Sequence, residues 1–255
     1  MTQPQPIESV FSRSWELLTR NWIIIVPGVV IGIVVGILRV LMTPAPLVYT
    51  TASGSTVYNA GGMMATIGSS LLLALVGLVA FIATQAFTTG MAGAAWQRGT
   101  TTLADGFAAF QEDAGRIIIT AVGLIVLACF AVVLSIPTIG IAFLAYYLFT
   151  LYAFPAAIVG NRPGFESILE SFRITMARFV PTLILGVIIF AMSFVATIVG
   201  ALLHFVPFLG PIVAGILTQI VVAFATLVVV GEYLNLRVAG TIPPPGPAAG
   251  PVKPV

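Results

Sequence analysis

The amino-acid sequence predicts an all-α integral membrane protein with six transmembrane helices, arranged as three hairpins that are each preceded by a short amphipathic interfacial helix. Three observations support this prediction. Only 7% of the 255 residues are charged and 59% are hydrophobic, whereas a soluble domain carries roughly 25% charged residues. The charges fall in short clusters that leave long apolar segments between them. The segments that precede alternate apolar stretches share one amphipathic pattern.

Composition also excludes several other classes of protein. Intrinsic disorder requires low hydrophobicity and high net charge, but the net charge here is +2. Cys129 is the only cysteine, which excludes a disulfide framework and a cysteine-based metal cluster. A chain with this charge offers no basic face, so nucleic acid is not an expected partner.

The charge-free segments give the number of spans. Residues 40–97, 117–161 and 179–231 contain no charged side chain, and each segment is too long for a single helix of roughly 20 apolar residues. Residues 22–38 add a first span, because the long side chain of Arg39 can reach the membrane surface from its end. Six spans are therefore expected.

Proline and glycine mark the turns between the spans, since both residues end helices. They divide the charge-free segments at a polar loop over residues 43–62, at a tight turn over 136–140 and at an outer turn over 204–211. The predicted spans cover residues 22–42, 64–97, 117–136, 139–160, 179–203 and 207–232. We expect one domain over residues 7–240, a disordered N-terminus over 1–6 and a disordered, Pro-rich tail over 241–255.

The distribution of basic residues predicts the orientation in the membrane. If both termini are cytoplasmic, the outer side keeps only Arg39 among ten basic residues, and all eight acidic residues lie inside. Cytoplasmic segments carry the excess of Lys and Arg. The sequence therefore predicts a multi-pass protein of the plasma (inner) membrane with both termini in the cytoplasm.

Each odd-numbered span follows a similar lead-in segment, which indicates a threefold internal repeat. The first and third segments begin at Ser14 and Ser171, and the middle one begins at Ala109. Their apolar residues recur at helical spacing. These residues are Ile7, Val10, Phe11, Trp15 and Leu18; Leu103, Phe107, Phe110, Ala114 and Ile117; and Phe165, Ile168, Leu169, Phe172, Met176 and Phe179. Such helices lie in the headgroup plane, although solvated helices packed beneath the bundle are an open alternative.

Two short stretches resemble a known family. Residues 232–238 read EYLNLRV. Residues 152–159 read YAFPAAIV, and the segment SILESFRITMAR follows at residues 167–178. These features are similar to a bacterial and archaeal six-helix family that includes the membrane domain of some glycerophosphodiester phosphodiesterases. Asn235 stands where that family usually has Asp, and Ala239 stands where a second basic residue is expected. The resemblance implies a six-helix topology and implies no hydrolase activity.

No set of residues has the pattern of a catalytic or metal site. His204 is the only histidine, and the outer side has no carboxylate to accompany it. Glu166 and Glu170 lie on one helix face with Arg173, which is the spacing of an ordinary surface charge pair. Glu232 is expected to pair with Arg237 or to reach the interface. We therefore expect neither an enzyme nor a bound cofactor or metal.

Uncharged polar residues inside the spans are the remaining candidates for function. They are Gln85 and Thr88 in the second span and Thr218 and Gln219 in the sixth. Such side chains hydrogen-bond across helices, or they line a pathway for a neutral or lipid-like substrate.

Two further groups of residues were predicted to position the helices. Gly28, Gly32 and Gly36 recur every fourth residue and form a helix-packing face, within the bundle or between copies. Five residues are expected to anchor the protein at the membrane interface. They are Trp15, Trp22, Arg116, Arg178 and Arg237.

Two functional hypotheses follow from these patterns. The first is a membrane scaffold or anchor that presents its charged cytoplasmic face to a partner. The alternative is a transporter, channel or lipid-handling protein for a neutral or amphiphilic substrate. Membrane lipids are expected partners under both hypotheses. A cytoplasmic or membrane protein is a possible partner under the scaffold hypothesis, and the sequence leaves open whether the protein forms a homo-oligomer.

Overall fold

A computed structural model describes residues 5–42, 48–50, 56–58, 60–203, 205–206 and 209–240. Within them the chain forms α-helices, one 3-10 helix and a small antiparallel hairpin. These are α1 (Ile7–Arg20), η1 (Trp22–Ile25), α2 (Val26–Met42), β1 (Val48–Thr50), β2 (Thr56–Tyr58), α3 (Ala60–Arg98), α4 (Leu103–Ser135), α5 (Ile141–Thr150), α6 (Ala153–Ile158), α7 (Gly164–Ala177), α8 (Phe179–Leu203) and α9 (Leu209–Val238). Predicted features at residues 1–4, 204 and 241–255 lie outside the described residues.

Six helical segments are long and apolar enough to cross a membrane. They are Trp22–Met42, Thr66–Arg98, Ala114–Ser135, Ile141–Ile158, Phe179–Leu203 and Ile212–Val238. Their outward side chains are bulky and apolar, as Ile33, Phe130 and Phe190 show, and hydrocarbon is the environment that suits such a surface. The prediction of a helical protein with six segments long and apolar enough to cross a membrane is confirmed.

The fourth span is broken, which the sequence patterns did not predict. α5 ends at Thr150 and α6 begins at Ala153, and α7 satisfies backbone groups at the break. The Ser171 hydroxyl donates to the Phe149 carbonyl at 2.7 Å and accepts from the Tyr152 N–H at 3.1 Å, while Thr175 donates to the Leu148 carbonyl at 3.2 Å. An interrupted helix is tolerated at membrane depth where neighbouring side chains satisfy the freed groups.

The first and third lead-in segments form separate helices that end in the same way. The residues after them, Asn21 and Arg178, have φ/ψ of −124°/49° and −132°/48°, and each N–H bonds the carbonyl four residues earlier. Pro27 and Pro181 follow closely, and a proline prevents the helix from continuing through the preceding turn.

The second lead-in segment is continuous with its span. α4 runs for 33 residues from Leu103 to Ser135, and it contains no proline. It begins with a capping box, in which the Thr102 and Asp105 side chains each accept a hydrogen bond from the other's backbone N–H and so satisfy two free amides of the first turn. The expected separate interfacial helix is therefore absent from the described part of this repeat.

The largest buried cluster lies at the end of the bundle where α1 and η1 meet α9. It includes Ile24, Leu227 and Tyr233, and the Trp96 indole N–H crosses from α3 to the Leu227 carbonyl at 2.8 Å. Asn235, near the end of α9, exchanges two hydrogen bonds with the backbone of Gln5, at 2.9 and 3.1 Å. The first described residue therefore lies beside the C-terminal end of α9.

Candidate functional site: a cavity within the helix bundle

A cavity of about 470 Å³ lies between α3, α4, α5, α6, α8 and α9. Ligand-binding cavities in proteins measure roughly 300–1,000 Å³, so this one is large enough for a small molecule or part of a lipid. Most of its wall is aliphatic or aromatic, as Phe81, Leu124 and Ile189 illustrate. No charged side chain is among the described residues that line it. Because unpaired charges are strongly disfavoured in such surroundings, the cavity suits an uncharged group.

Several polar residues interrupt the apolar wall. They are Gln85, Thr89, Tyr146, Tyr147, Thr150, Ser193 and Thr226. Most of the hydroxyls already donate to a backbone carbonyl. Tyr146 donates to Leu124 at 3.1 Å, Thr150 to Tyr146 at 2.7 Å, and Thr226 to Val222 at 2.9 Å.

Two of these hydroxyls, those of Tyr147 and Thr89, make no such bond, and Thr89 is the more buried of the two residues. Thr89 is 1% exposed, and its Oγ1 has no hydrogen-bond partner. A buried polar group without a partner costs about 1–3 kcal/mol, so the site retains an unused hydrogen-bonding capacity. Gln85 lies one helical turn earlier on the same side of α3, and its half-buried amide makes no hydrogen bond to another described residue.

The structure separates the polar residues that the sequence grouped together. Gln85 lines the cavity, whereas Gln219 lies against Gly28 between α2 and α9. Thr88 donates to the carbonyl of Thr84, and Thr218 donates to the carbonyl four residues earlier in its own helix. Of the four predicted pathway residues, only Gln85 reaches the cavity.

The three glycines of α2 are also in different environments. Gly28 is buried, and a β-carbon placed on it would collide with the side chain of Gln219. Gly32 and Gly36 are exposed, with no atom within 4 Å of such a β-carbon. Of these three glycines, only Gly28 takes part in close helix packing within the described bundle.

The predicted tryptophan anchors are exposed, whereas the arginines contact the protein itself. Trp22 is 68% exposed, and Trp15 is 58% exposed while its ring packs edge-on against Phe224. The Arg116 guanidinium donates to the Asn161 side chain at 2.6 Å, and that of Arg237 donates to the Val159 carbonyl at 2.9 Å. Arg178 is half-buried after α7, where its charge acts on the Glu232 carboxyl.

The burial and the partners of two carboxyl groups differ from what the sequence predicted. Glu170 is 4% exposed and contacts Arg162 and the Tyr233 hydroxyl, so the expected surface pair with Arg173 is wrong. Glu232 is also 4% exposed and accepts a hydrogen bond from Asn235 at 3.1 Å, while Arg237 is directed elsewhere. The physical reason is that α1 and α6 pack against α9 and α7 packs against α6, which removes both carboxyls from the surface.

A second, polar cleft of about 320 Å³ lies between α3 and the start of α4. Gln97, Arg98, Asp105, Glu112 and Asn161 contribute its polar side chains. Burial by itself raises the pKa of Asp105. Hydrogen bonds from Arg98 and Thr102 lower the pKa by more than burial raises it, so the resulting pKa is below its usual value. Among the described residues, no group of three or more His, Cys, Asp or Glu side chains could hold a metal ion.

Comparison of the chain with protein-family models, with curated proteins and with solved structures found no match. The family resemblance therefore stays a prediction, and the evidence on function comes from the cavity and its surroundings.

Proposed function

We propose that the protein binds a membrane amphiphile inside its helix bundle, as a lipid-handling integral membrane protein. The observation that carries this proposal is the mainly apolar cavity, lined by no charged side chain among the described residues, between five of the six segments that are long and apolar enough to cross a membrane. A lipid chain is the most abundant apolar molecule at that depth, and the cavity wall is chemically matched to it.

The depth of the cavity supports a lipid ligand. Gln85 lies 13 residues before Arg98, the end of its span, which corresponds to about 20 Å along a helix with a rise of 1.5 Å per residue. The hydrocarbon core of a bilayer is about 30 Å thick. The span Thr66–Arg98 is longer than this layer, and Gln85 lies in its middle third, which supports a position of the polar part of the cavity among the acyl chains.

The scaffold hypothesis has weaker support, because many charged groups are already engaged within the protein. The Arg162 guanidinium pairs with Glu170, which also accepts a hydrogen bond from the Tyr233 hydroxyl. The Arg237 guanidinium donates to the backbone carbonyl of Val159. Fewer charges then remain to recognise a soluble partner than the sequence alone indicated.

The orientation in the membrane is part of the same proposal. The hydrogen bonds between Gln5 and Asn235 support a common side for both ends of the domain, and the excess of basic residues favours the cytoplasm for that side. Exposed aromatic residues on the lead-in segments, such as Trp15, Phe107 and Phe165, support contact of these segments with the membrane interface.

A cavity-filling substitution tests the proposal. Ala128 on α4 lines the cavity, while its neighbour Cys129 is exposed on the outer side of the same helix. We expect Ala128→Phe to reduce the lipid that co-purifies with the protein at least fivefold, measured by native mass spectrometry and lipid extraction. The matched control, Cys129→Phe, should retain the wild-type amount. Equal lipid retention in both variants would overturn the proposal.

A further inference from the structure

We infer that Gln85 and Thr89 recognise an uncharged hydrogen-bonding group of the bound amphiphile, such as an ester, alcohol or amide. This inference rests on the proposed function and specifies the ligand class. A neutral acylglycerol, fatty alcohol or fatty amide then fits the site, whereas an ionised fatty acid does not.

The hydroxyl of Thr89 differs from those of several other threonines in the spans. Thr84, Thr88 and Thr226 each donate to the carbonyl four residues earlier in their own helix. Thr89 does not use this bond and has no other partner, although it is almost fully buried. Buried hydroxyls are nearly always hydrogen-bonded in native proteins. Thr89 lines the adjoining cavity, and a turn of its side chain brings the hydroxyl to a ligand atom there, which supplies the missing partner.

Gln85 adds the complementary half of the site. Its amide has a carbonyl acceptor and two N–H donors, and it lines the same cavity one turn from Thr89. Together the two side chains bind a group that both accepts and donates hydrogen bonds, as the ester and hydroxyls of an acylglycerol do. The phenol of Tyr147 lines the same cavity.

The lack of charge in the wall sets the preference for a neutral ligand. A carboxylate or ammonium group would lose its hydration without gaining a counter-ion from the described residues of the wall. Such a buried, unpaired charge is strongly disfavoured. Discrimination between neutral and ionised amphiphiles of the same chain length is therefore built into the cavity.

The test measures binding of three probes to the full-length protein in detergent at pH 8. The probes are a C16 monoacylglycerol, the C16 fatty acid and hexadecane. The wild type is expected to bind the monoacylglycerol at least tenfold more tightly than the fatty acid. Thr89→Val and Gln85→Leu should each weaken binding of the monoacylglycerol about fivefold, as the loss of one hydrogen bond predicts, and leave hexadecane binding unchanged.

The control is Thr218→Val, since Thr218 does not line the cavity and its hydroxyl is already bonded to the Ala214 carbonyl of its own helix. This variant should bind all three probes like the wild type, and Thr89→Ser should restore monoacylglycerol binding. Equal affinity for the fatty acid and the monoacylglycerol would overturn the inference. Wild-type binding of the monoacylglycerol by both Thr89→Val and Gln85→Leu would also overturn it. These side chains would then bind water in the cavity or contribute only to packing.

Failure of the inference and failure of the proposed function are distinguishable with Ala128→Phe. If this variant weakens all probes while the polar variants have no effect, the cavity binds amphiphiles without recognising a polar group. If it weakens none of them, the cavity is not the binding site, and both the inference and the proposed function are overturned.

Discussion

Replacing Arg162 by methionine should destabilise the protein by about 3–5 kcal/mol, because it leaves a carboxylate buried without its cation. Glu170 is 4% exposed, and its two oxygens contact the Arg162 guanidinium and the Tyr233 hydroxyl, the latter at 2.6 Å. The Arg162 side chain is itself only 16% exposed, so water cannot readily replace it. At roughly 2–4 °C per kcal/mol for a protein of this size, the expected loss in melting temperature is about 6–20 °C.

The second bond of Glu170 should contribute less. Tyr233→Phe removes one hydrogen bond to a charged acceptor, for which about 1.5–3 kcal/mol is expected. A double variant, Arg162→Met with Glu170→Met, should recover much of the loss, since a well-packed apolar pair often matches a buried ion pair in stability. The recovery is a coupling energy that a double-mutant cycle measures directly.

Thermal unfolding in detergent, followed by circular dichroism, measures these differences. Glu166→Gln is the control, because Glu166 lies one turn earlier on α7 and is exposed, and its replacement should change stability by less than about 0.5 kcal/mol. The reasoning would be refuted if Arg162→Met were as stable as this control, or if the double variant recovered nothing.

Three further outcomes are expected from the same assay. Gly231→Ala should lower stability by about 1–3 kcal/mol, since the new β-carbon would collide with the Trp96 ring and overpacking costs that much. The control Gly32→Ala should be neutral or slightly stabilising, because the space around Gly32 is open. Ser171→Ala should cost about 1–3 kcal/mol, because it leaves backbone groups unpaired at the break in the fourth span. The pKa of Asp105 is lower in the folded protein than its ordinary value of 3.8, so the contribution of Asp105 to stability is full above that value and is lost as the pH falls through the folded pKa. The stability difference between wild type and Asp105→Asn should therefore persist at pH 6 and shrink below about pH 4.

The span pattern could be predicted from sequence because it depends on local composition. A segment that is apolar for about 20 residues partitions into a bilayer as a helix whatever surrounds it, and Pro137 and Gly140 end such a segment for steric reasons. The structure accordingly has a turn over residues 136–140. The break in the fourth span was not predicted, although Pro155 lacks an N–H for the Leu151 carbonyl and disfavours a continuous helix there. The hydrogen bonds by which Ser171, from a different helix, satisfies the freed backbone groups depend on the tertiary structure.

The candidate site could be predicted only in part. Gln85 was identified because an amide inside a span is unusual and costly there. Thr89 was missed because nothing in its neighbourhood in the sequence distinguishes it from Thr88. Only the structure shows that the Thr88 hydroxyl is bonded to its own helix and that of Thr89 has no partner.

The sequence alone determined that this protein is helical and has six segments able to cross a membrane, since hydropathy, charge and turn residues act over a few neighbouring positions. The tertiary structure decided which side chains share a cavity and which carboxyls are buried. Glu170 and Tyr233 are 63 residues apart in the chain, and the wall of the cavity comes from six helices. Such features depend on how helices pack against one another, and in a membrane that packing is set by shape and hydrogen bonding between segments that are all similarly apolar.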